Sequence, residues 1–257
     1  MKRGKTGLLL LSAALVSAFL GAACSPDQPK ANVDSPKQSD PRLALELVHF
    51  PTQDGGVIYG DLYGAGERGV VLAHGGRFDK QSWQKQAFVL ADAGYHVLAI
   101  DFRGYGESKG PGQAEVFSAP LHLDVLAAVQ FLRKKGAKRV AVIGASLGGG
   151  AAAKAATAAP GAIDRLVLLG ATPEGPPEDL KLAKLYIMSR DDASDSGPRL
   201  PGLQAHFERA PESKELIVLD GSAHAQFLFE TENAGRVMQE ILRFLSVESK
   251  AGEQSSK

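Results

Sequence analysis

The sequence contains a single cysteine, Cys24, and this scarcity excludes several kinds of site. An intramolecular disulfide needs two cysteines and a cysteine-based zinc site needs two to four, so we expect neither. The metalloprotease pattern His-Glu-x-x-His is also absent from the sequence. We therefore expect a protein whose chemistry depends on neither a metal nor another cofactor.

The charge of the chain shows no excess of either sign, because 29 basic residues face 29 acidic ones. Nucleic-acid-binding domains usually carry a clear surplus of basic residues, so we expect no nucleic-acid partner. A chain of 257 residues with 44% hydrophobic content can bury the core of one α/β domain. One folded domain is therefore expected.

Long apolar runs are scarce, and one of them covers residues 8–20. It follows a basic segment at residues 2–5 and is short for a membrane span, which is typical of a secretory signal peptide. The small residues before Cys24 resemble the lipobox of bacterial lipoproteins, although Gly21 stands where leucine is usual. The resemblance implies that residues 1–23 are removed and that Cys24 is lipidated. The protein would then be exported and lipid-anchored to a bacterial cell membrane, in the cell envelope; the alternatives are cleavage nearby as an ordinary signal peptide, or an uncleaved anchor.

Composition divides the rest of the chain into three parts. Residues 24–42 contain four prolines among polar residues and have little to bury, which predicts a disordered tether. Residues 43–247 carry the apolar patterns of a folded domain. Residues 248–257 form a polar tail.

The folded part alternates short apolar strands with amphipathic helices. Strands are predicted at residues 43–50, 57–63, 69–73, 97–100, 139–143, 165–169, 185–188 and 215–219, and helices at 82–93, 118–135, 146–159, 200–209 and 231–246. Repeated β-α-β units with continuous apolar strands are typical of a mostly parallel sheet with helices on both faces. A hairpin signal joins the first two strands, so these should be antiparallel. Ser118 is the expected cap of the second helix.

The pattern Gly144-x-Ser146-x-Gly148 lies between a predicted strand and a predicted helix. A serine on such a sharp turn needs small residues two positions before and after it, because the backbone is strained and closely packed. The first N–H groups of the helix lack helical partners and can bind a developing negative charge. Ser146 is therefore a candidate nucleophile.

A serine nucleophile needs a base, and the base needs an orienting carboxylate. In an open parallel sheet such groups collect beyond the carboxyl ends of the strands. Asp191 and Asp192 follow the strand at 185–188, and His224 follows the strand at 215–219. The chain order of serine, aspartate and histidine is the one that a nucleophile elbow requires.

These patterns together resemble the α/β-hydrolase superfamily over residues 43–246. Two further segments add to the likeness: His-Gly-Gly at 74–76 and Asp-x-Arg-Gly-x-Gly-x-Ser at 101–108. The resemblance implies an α/β-hydrolase fold, with a mostly parallel twisted sheet of about eight strands and helices on both faces. Many relatives insert a helical lid after the strand that follows the elbow helix, but residues 170–184 are too few for one, so no cap domain is expected.

The resemblance also implies a catalytic triad. Ser146 would be the nucleophile, His224 the general base and then the general acid, and an aspartate the orienting group. In relatives the strand leads into Gly-x-x-Asp, and here a serine takes the place of that glycine. This spacing favours Asp192 over Asp191, with Asp195 as a remote alternative.

The same resemblance assigns the surrounding groups. The N–H groups of Leu147 and Gly76 would form the oxyanion hole, with Arg77 as the alternative to Gly76. His74 would shape the oxyanion loop, and the charged turn that begins at Asp101 would be structural.

The expected reaction is hydrolysis through an acyl-enzyme, most consistent with a carboxylic ester hydrolase that acts on small or short-chain acyl substrates. The absence of a lid favours an open cleft and such substrates. The alternatives are a serine peptidase of aminopeptidase type, which shares the acyl-enzyme chemistry, and a non-catalytic lipoprotein that uses this fold for binding.

Overall fold

The computed structural model describes residues 44–247, and the predicted signal peptide, tether and polar tail lie outside them. The strands are β1 (Glu46–Pro51), β2 (Val57–Tyr63), β3 (Arg68–Ala73), β4 (His96–Ile100), β5 (Arg139–Ala145), β6 (Arg165–Leu169), β7 (Ala183–Ser189), β8 (Ala193–Ser194), β9 (Gly197–Pro198) and β10 (Lys214–Leu219). Eight of them form one sheet, while β8 and β9 form a small hairpin of their own.

The strand order in the main sheet is β1-β2-β4-β3-β5-β6-β7-β10. β1 and β2 pair antiparallel, and β2 pairs antiparallel with β4. All other neighbours are parallel, from β4 through β3, β5, β6 and β7 to β10. The predictions of a mostly parallel sheet and of an antiparallel start are confirmed.

Within residues 44–247, five α-helices cover the sheet: α1 (Gln84–Asp92), α2 (Leu121–Lys134), α3 (Leu147–Ala158), α4 (Leu200–Arg209) and α5 (Ala234–Ser246). Buried residues of α2, α3 and α4 join one hydrophobic cluster, and those of α1 and α5 join another. Alternate residues of the same strand enter different clusters, as Val71 and Leu72 of β3 do. Because successive side chains of a strand point to opposite faces, the two clusters lie on the two sides of the sheet.

The start of α2 differs from the prediction. Ser118 does not cap this helix: its hydroxyl donates to the Glu115 carbonyl 3.1 Å away, within a preceding 3-10 turn, Gln113–Ser118. Pro120 occupies the cap position, and Ala119 is extended with ψ 153°. A residue before proline is driven out of the helical region, so the helix begins only after Pro120.

The connection between β6 and β7 contains one short 3-10 turn, Pro177–Asp179, and no longer helix. The predicted lack of a cap domain at this place is therefore confirmed. Among the five helices described, none combines the length and the apolar character that crossing a bilayer requires.

A buried arginine holds the turn after β4 in place. Arg103 is fully buried and pairs with Asp124 of α2 through Nη2 at 2.6 Å. Its Nη1 contacts Asp54, in the β1–β2 turn, at 2.6 Å, and this hydrogen bond lowers the pKa of Asp54 to about 2. The Asp54 carboxylate is thus charged near neutral pH, whereas burial raises the pKa of Asp124. The turn connects the hairpin to α2.

Candidate active site

Ser146 stands at the turn between β5 and α3 in a strained conformation, with φ 48° and ψ −112°. Its N–H donates to the Leu169 carbonyl of β6 at 2.9 Å, which fixes the turn to the neighbouring strand. Within residues 44–247 the only other non-glycine residue with positive φ is Ala225. Such strain persists where the surrounding structure enforces it, and it is concentrated at functional sites.

The glycines that bracket Ser146 are required by close packing. A Cβ on Gly144 would lie 2.5 Å from the Gly148 carbonyl oxygen. A Cβ on Gly148 would collide with the Ala73 carbonyl oxygen at the end of β3. The Gly-x-Ser-x-Gly pattern is therefore required because the start of α3 packs directly against β3 and β5.

Three side chains from separate loops form one hydrogen-bonded chain. The Ser146 hydroxyl lies 2.8 Å from His224 Nε2, and His224 Nδ1 lies 2.7 Å from Asp192 Oδ2. The carboxylate accepts the Nδ1 proton, which leaves Nε2 free to accept the serine proton. The Asp192 side chain is 1% exposed, whereas Asp191 and Asp195 are exposed. The structure brings Asp192 to the histidine and leaves the other two apart from it.

The loops that carry the acid and the histidine are tied together. The Ser189 hydroxyl donates to the Ala223 carbonyl at 2.7 Å, so the residue in the glycine's place connects the end of β7 to the His224 loop. The Arg199 N–H donates to the Asp192 carbonyl at 2.9 Å. Arg199 Nε also lies 3.3 Å from Asp192 Oδ1, as an ion pair that is not aligned as a hydrogen bond. These contacts hold the carboxylate behind the imidazole.

The loop after β3 lies beside the elbow. A Cβ on Gly76 would be 3.6 Å from Leu147 Cδ2, so the two predicted oxyanion residues are neighbours. The Tyr105 hydroxyl donates to the Gly76 carbonyl at 2.8 Å. Among residues 44–247, neither the N–H of Gly76 nor that of Leu147 donates a hydrogen bond to another residue. The same holds for Arg77, so the choice of Gly76 over Arg77 stays a prediction.

His74 braces this loop as a neutral side chain. It is fully buried, and burial lowers its pKa to about 4. Its Nε2 accepts from the Phe102 N–H at 3.2 Å, and its Nδ1 donates to the Gly75 carbonyl at 2.9 Å. Because both ring nitrogens are engaged by backbone groups, His74 has the geometry of a structural residue.

Aromatic side chains border the site. Phe78 and Phe227 pack with ring centroids 4.9 Å apart. The Phe117 side chain is 82% exposed, and a Cβ on Gly76 would lie 3.3 Å from its ring. An exposed phenylalanine beside a candidate site offers apolar surface to a substrate.

Sequence reasoning missed several residues that shape the site, namely Tyr105, Arg199 and Gln226. Arg199 and Gln226 stand in no recognisable motif, and Tyr105 occupies a variable position of the segment at 101–108. Each acts on a residue distant in sequence or on a backbone atom. In the described part of the chain, no group of three or more His, Cys, Asp or Glu side chains could hold a metal ion.

Comparison with known proteins places this geometry in a family. Residues 69–230 match the family described as alpha/beta hydrolase fold. Epoxide hydrolase A of Mycobacterium tuberculosis is 45% identical over 83 residues, which are 31% of this chain and 25% of that protein. Bifunctional epoxide hydrolase 2 of Sus scrofa is 43% identical over 82 residues, 31% of this chain and 14% of that protein. The chain thus spans at most a quarter of the length of these two curated relatives.

Solved structures show the same fold over most of the chain. An esterase of Pyrococcus furiosus superposes with a TM-score of 0.66 at 20% identity, covering 79% of this chain and 92% of that one. An esterase of Exiguobacterium antarcticum has a TM-score of 0.62 at 17% identity, covering 78% and 99%. At such identities the likeness establishes the fold alone.

The packing of the elbow makes a testable distinction between two glycines of α3. Gly148→Ala is expected to lower the free energy of unfolding by about 1–3 kcal/mol or more, because its Cβ meets the Ala73 carbonyl. Gly150→Ala is the matched control, since a Cβ there has nothing within 4 Å. It is expected to raise stability by roughly 0.5–1 kcal/mol through helix propensity. Urea denaturation measures both, and equal stabilities for the two variants would contradict this account of the motif.

Proposed function

Because the chain belongs to the alpha/beta hydrolase fold family, we propose that it is a serine hydrolase that cleaves acyl compounds through an acyl-enzyme. The observation that carries the proposal is the continuous contact from the Ser146 hydroxyl through His224 to the buried Asp192 carboxylate, at 2.8 and 2.7 Å. Serine is a weak nucleophile until a base removes its proton, and this arrangement supplies the base and the group that orients it.

In the proposed reaction, His224 Nε2 takes the proton of Ser146 while Oγ attacks the carbonyl carbon. The π electrons move to the carbonyl oxygen, and the N–H groups of Leu147 and Gly76 stabilise the resulting oxyanion. The protonated His224 then gives its proton to the leaving group as the tetrahedral intermediate collapses to a serine ester. A water molecule repeats the sequence, releases the acid and restores the serine.

The proposed roles fit the electrostatics of the loops. A carboxylate behind Nδ1 stabilises the imidazolium that forms while Ser146 is deprotonated. Each oxyanion donor in sites of this kind is worth about 3–4 kcal/mol of barrier. The strained turn at Ser146 supports the proposal further, because strain of this kind is concentrated at functional sites.

Epoxide hydrolysis, the activity that the names of the two curated relatives give to those proteins, does not fit a serine nucleophile. A serine oxygen that opened an epoxide would form an ether to the enzyme. An ether has no carbonyl for water to attack, so the enzyme would stop after one turnover. A serine ester is hydrolysed by the same machinery that made it, which favours acyl substrates for this chain.

Small or short-chain carboxylic esters are the proposed substrates. No cap covers the loops at the end of the sheet in the described residues, and the exposed Phe117 offers a limited apolar contact. A long acyl chain would remain largely in water and gain little binding energy from such a cleft.

Export and lipid anchoring through Cys24 are a second proposal, supported by the sequence of residues 1–24. β1 begins at Glu46, which pairs with Leu62 near the end of β2. The described chain therefore enters the sheet at the end where β4 begins. Ser146 lies at the opposite end of the strands, directly after β5. The described chain therefore begins at the end of the sheet opposite the proposed site.

The anchor is tested by expressing the full chain in a bacterium that grows with a labelled fatty acid. The wild type is expected to incorporate the label and to fractionate with membranes, while Cys24→Ala incorporates none. A wild type without label would contradict the proposal and favour ordinary signal cleavage.

The proposed activity is tested with p-nitrophenyl acetate, butyrate and octanoate, and with aminoacyl anilides as amide substrates. Ser146→Ala is expected to abolish turnover. Asp192→Asn should lower kcat by roughly 10³–10⁴-fold, because the amide stabilises the wrong histidine tautomer. Asp191→Asn is the matched control and should stay within about threefold of the wild type, since Asp191 is exposed.

Three outcomes would contradict this reading. An equal loss in the two asparagine variants would remove the basis for Asp192 as the acid. Preference for octanoate over acetate would overturn the short-chain assignment, and faster turnover of anilides than of esters would indicate a peptidase.

A further inference from the structure

Gln226 connects the loop of the proposed general base to the oxyanion loop. It lies two residues after His224, is 4% exposed, and belongs to the 3-10 turn Ala225–Glu230. Its Oε1 accepts from the Gly75 N–H at 2.6 Å, and its Nε2 donates to the Ser82 hydroxyl at 2.8 Å. The side chain therefore contacts both sides of the segment that contains Gly76.

The direction of these hydrogen bonds follows from the partners. A backbone N–H can only donate, so the atom of Gln226 that faces Gly75 is the oxygen, and the amide nitrogen faces Ser82. The Ser82 hydroxyl in turn donates to the Asp79 carbonyl. Each of these three hydrogen bonds joins a donor to an acceptor, which gives the glutamine side chain one orientation.

The backbone of the oxyanion loop is held at three further points. The Gly75 carbonyl accepts from His74 Nδ1 at 2.9 Å and from the Phe78 N–H at 3.0 Å. Tyr105 donates to the Gly76 carbonyl. The peptide between Gly75 and Gly76 is planar, so its N–H points away from the Gly75 carbonyl. The Gly75 N–H belongs to the preceding peptide unit, so its hydrogen bond to Gln226 limits rotation about the backbone bonds of Gly75, which set the direction of the Gly76 N–H.

The backbone at Ala225 allows neighbouring side chains to serve two loops. Ala225 has φ 52° and is 1% exposed. Gly170, at the end of β6, packs against it, because a Cβ on Gly170 would lie 2.6 Å from the Ala225 nitrogen. On either side of this kink, His224 contacts Ser146 and Gln226 contacts Gly75. The strained backbone at Ala225 thus allows the residues on either side of it to contact two different loops.

We propose that Gln226 is a positioning residue for acyl transfer: by accepting from the Gly75 N–H it restricts the backbone at Gly75, so that the Gly76 N–H faces the developing oxyanion. The inference rests on the proposed function. A donor that is misaimed weakens binding of the transition state while ground-state binding changes little. Loss of Gln226 should therefore lower kcat and leave KM nearly unchanged.

The test compares Gln226→Met with the wild type, using the full chain and p-nitrophenyl acetate. Fluorophosphonate titration counts the competent sites, so kcat is expressed per active site. The variant is expected to show kcat reduced roughly 10-fold to 100-fold with KM within about twofold. Affinity for a trifluoromethyl ketone, which forms a tetrahedral adduct, should fall by a similar factor. A purely structural role would lower the number of active sites and leave kcat per site unchanged.

Three other variants sharpen the result. Gln239→Met makes the same chemical change on an exposed face of α5 and should match the wild type. Gln226→Glu keeps the acceptor for the Gly75 N–H and should recover part of the lost kcat. Ser82→Ala removes the second contact at an exposed position, so it should fold and show a smaller loss in the same direction. The variant that combines Ser82→Ala with Gln226→Met should have a kcat no lower than that of Gln226→Met alone, because both changes act through one side chain.

Two outcomes would overturn the inference. If the wild type is active and both Gln226→Met and Ser82→Ala keep its kcat per site, the inference about Gln226 is overturned while the proposed function stands. A wild type that neither turns over acyl substrates nor reacts with fluorophosphonate would overturn the proposed function together with it.

Discussion

The positive φ of Ser146 is enforced by the close approach of three backbone segments. β5 turns into α3 with no intervening loop, and Gly148 at the start of α3 touches the last residue of β3, Ala73. The same contact brings the loop that follows β3 beside the first N–H of α3. Ser146, Leu147 and Gly76 are thus neighbours because one turn is too tight for any residue but glycine at its flanks.

The parallel sheet completes the site. β3, β5, β7 and β10 end at the same end of the sheet, so the loop after β3, the elbow, Asp192 and His224 all emerge there. Short hydrogen bonds between the loops then set their relative positions: Ser189 joins the Asp192 loop to the His224 loop, and Gln226 joins the His224 loop to the loop after β3. His74 remains neutral in this arrangement, because burial lowers its pKa to about 4.

Much of this architecture could be predicted from the sequence because the signals are local. Apolar runs indicated the eight strands of the main sheet, and the spacing of Gly144, Ser146 and Gly148 indicated the elbow. The start of α2 was predicted wrongly, since Ser118 is a good cap by type but Pro120 prevents a helix from beginning there. The preference for Asp192 over Asp191 depended on one residue of spacing, and the contact with His224 is made by Asp192.

Other features could not be read from the chain. The contact between Gln226 and Gly75 joins residues 151 positions apart, and neither the strand pattern nor a motif marks it. The contact of the Tyr105 hydroxyl with the Gly76 carbonyl was also missed, because Tyr105 occupies a variable position of the segment at 101–108. Such contacts depend on how loops from different strands meet, which local periodicity does not encode.

The central claim is that Ser146 is made nucleophilic by His224 and Asp192. It is tested most directly by treating the folded protein with a fluorophosphonate and locating the adduct by peptide mass spectrometry. The account predicts one adduct, on Ser146, formed quickly in the wild type and at least 100-fold more slowly after His224→Gln. A folded wild-type protein that gains no adduct, or gains it on another residue, would contradict the account and favour a binding role for this fold.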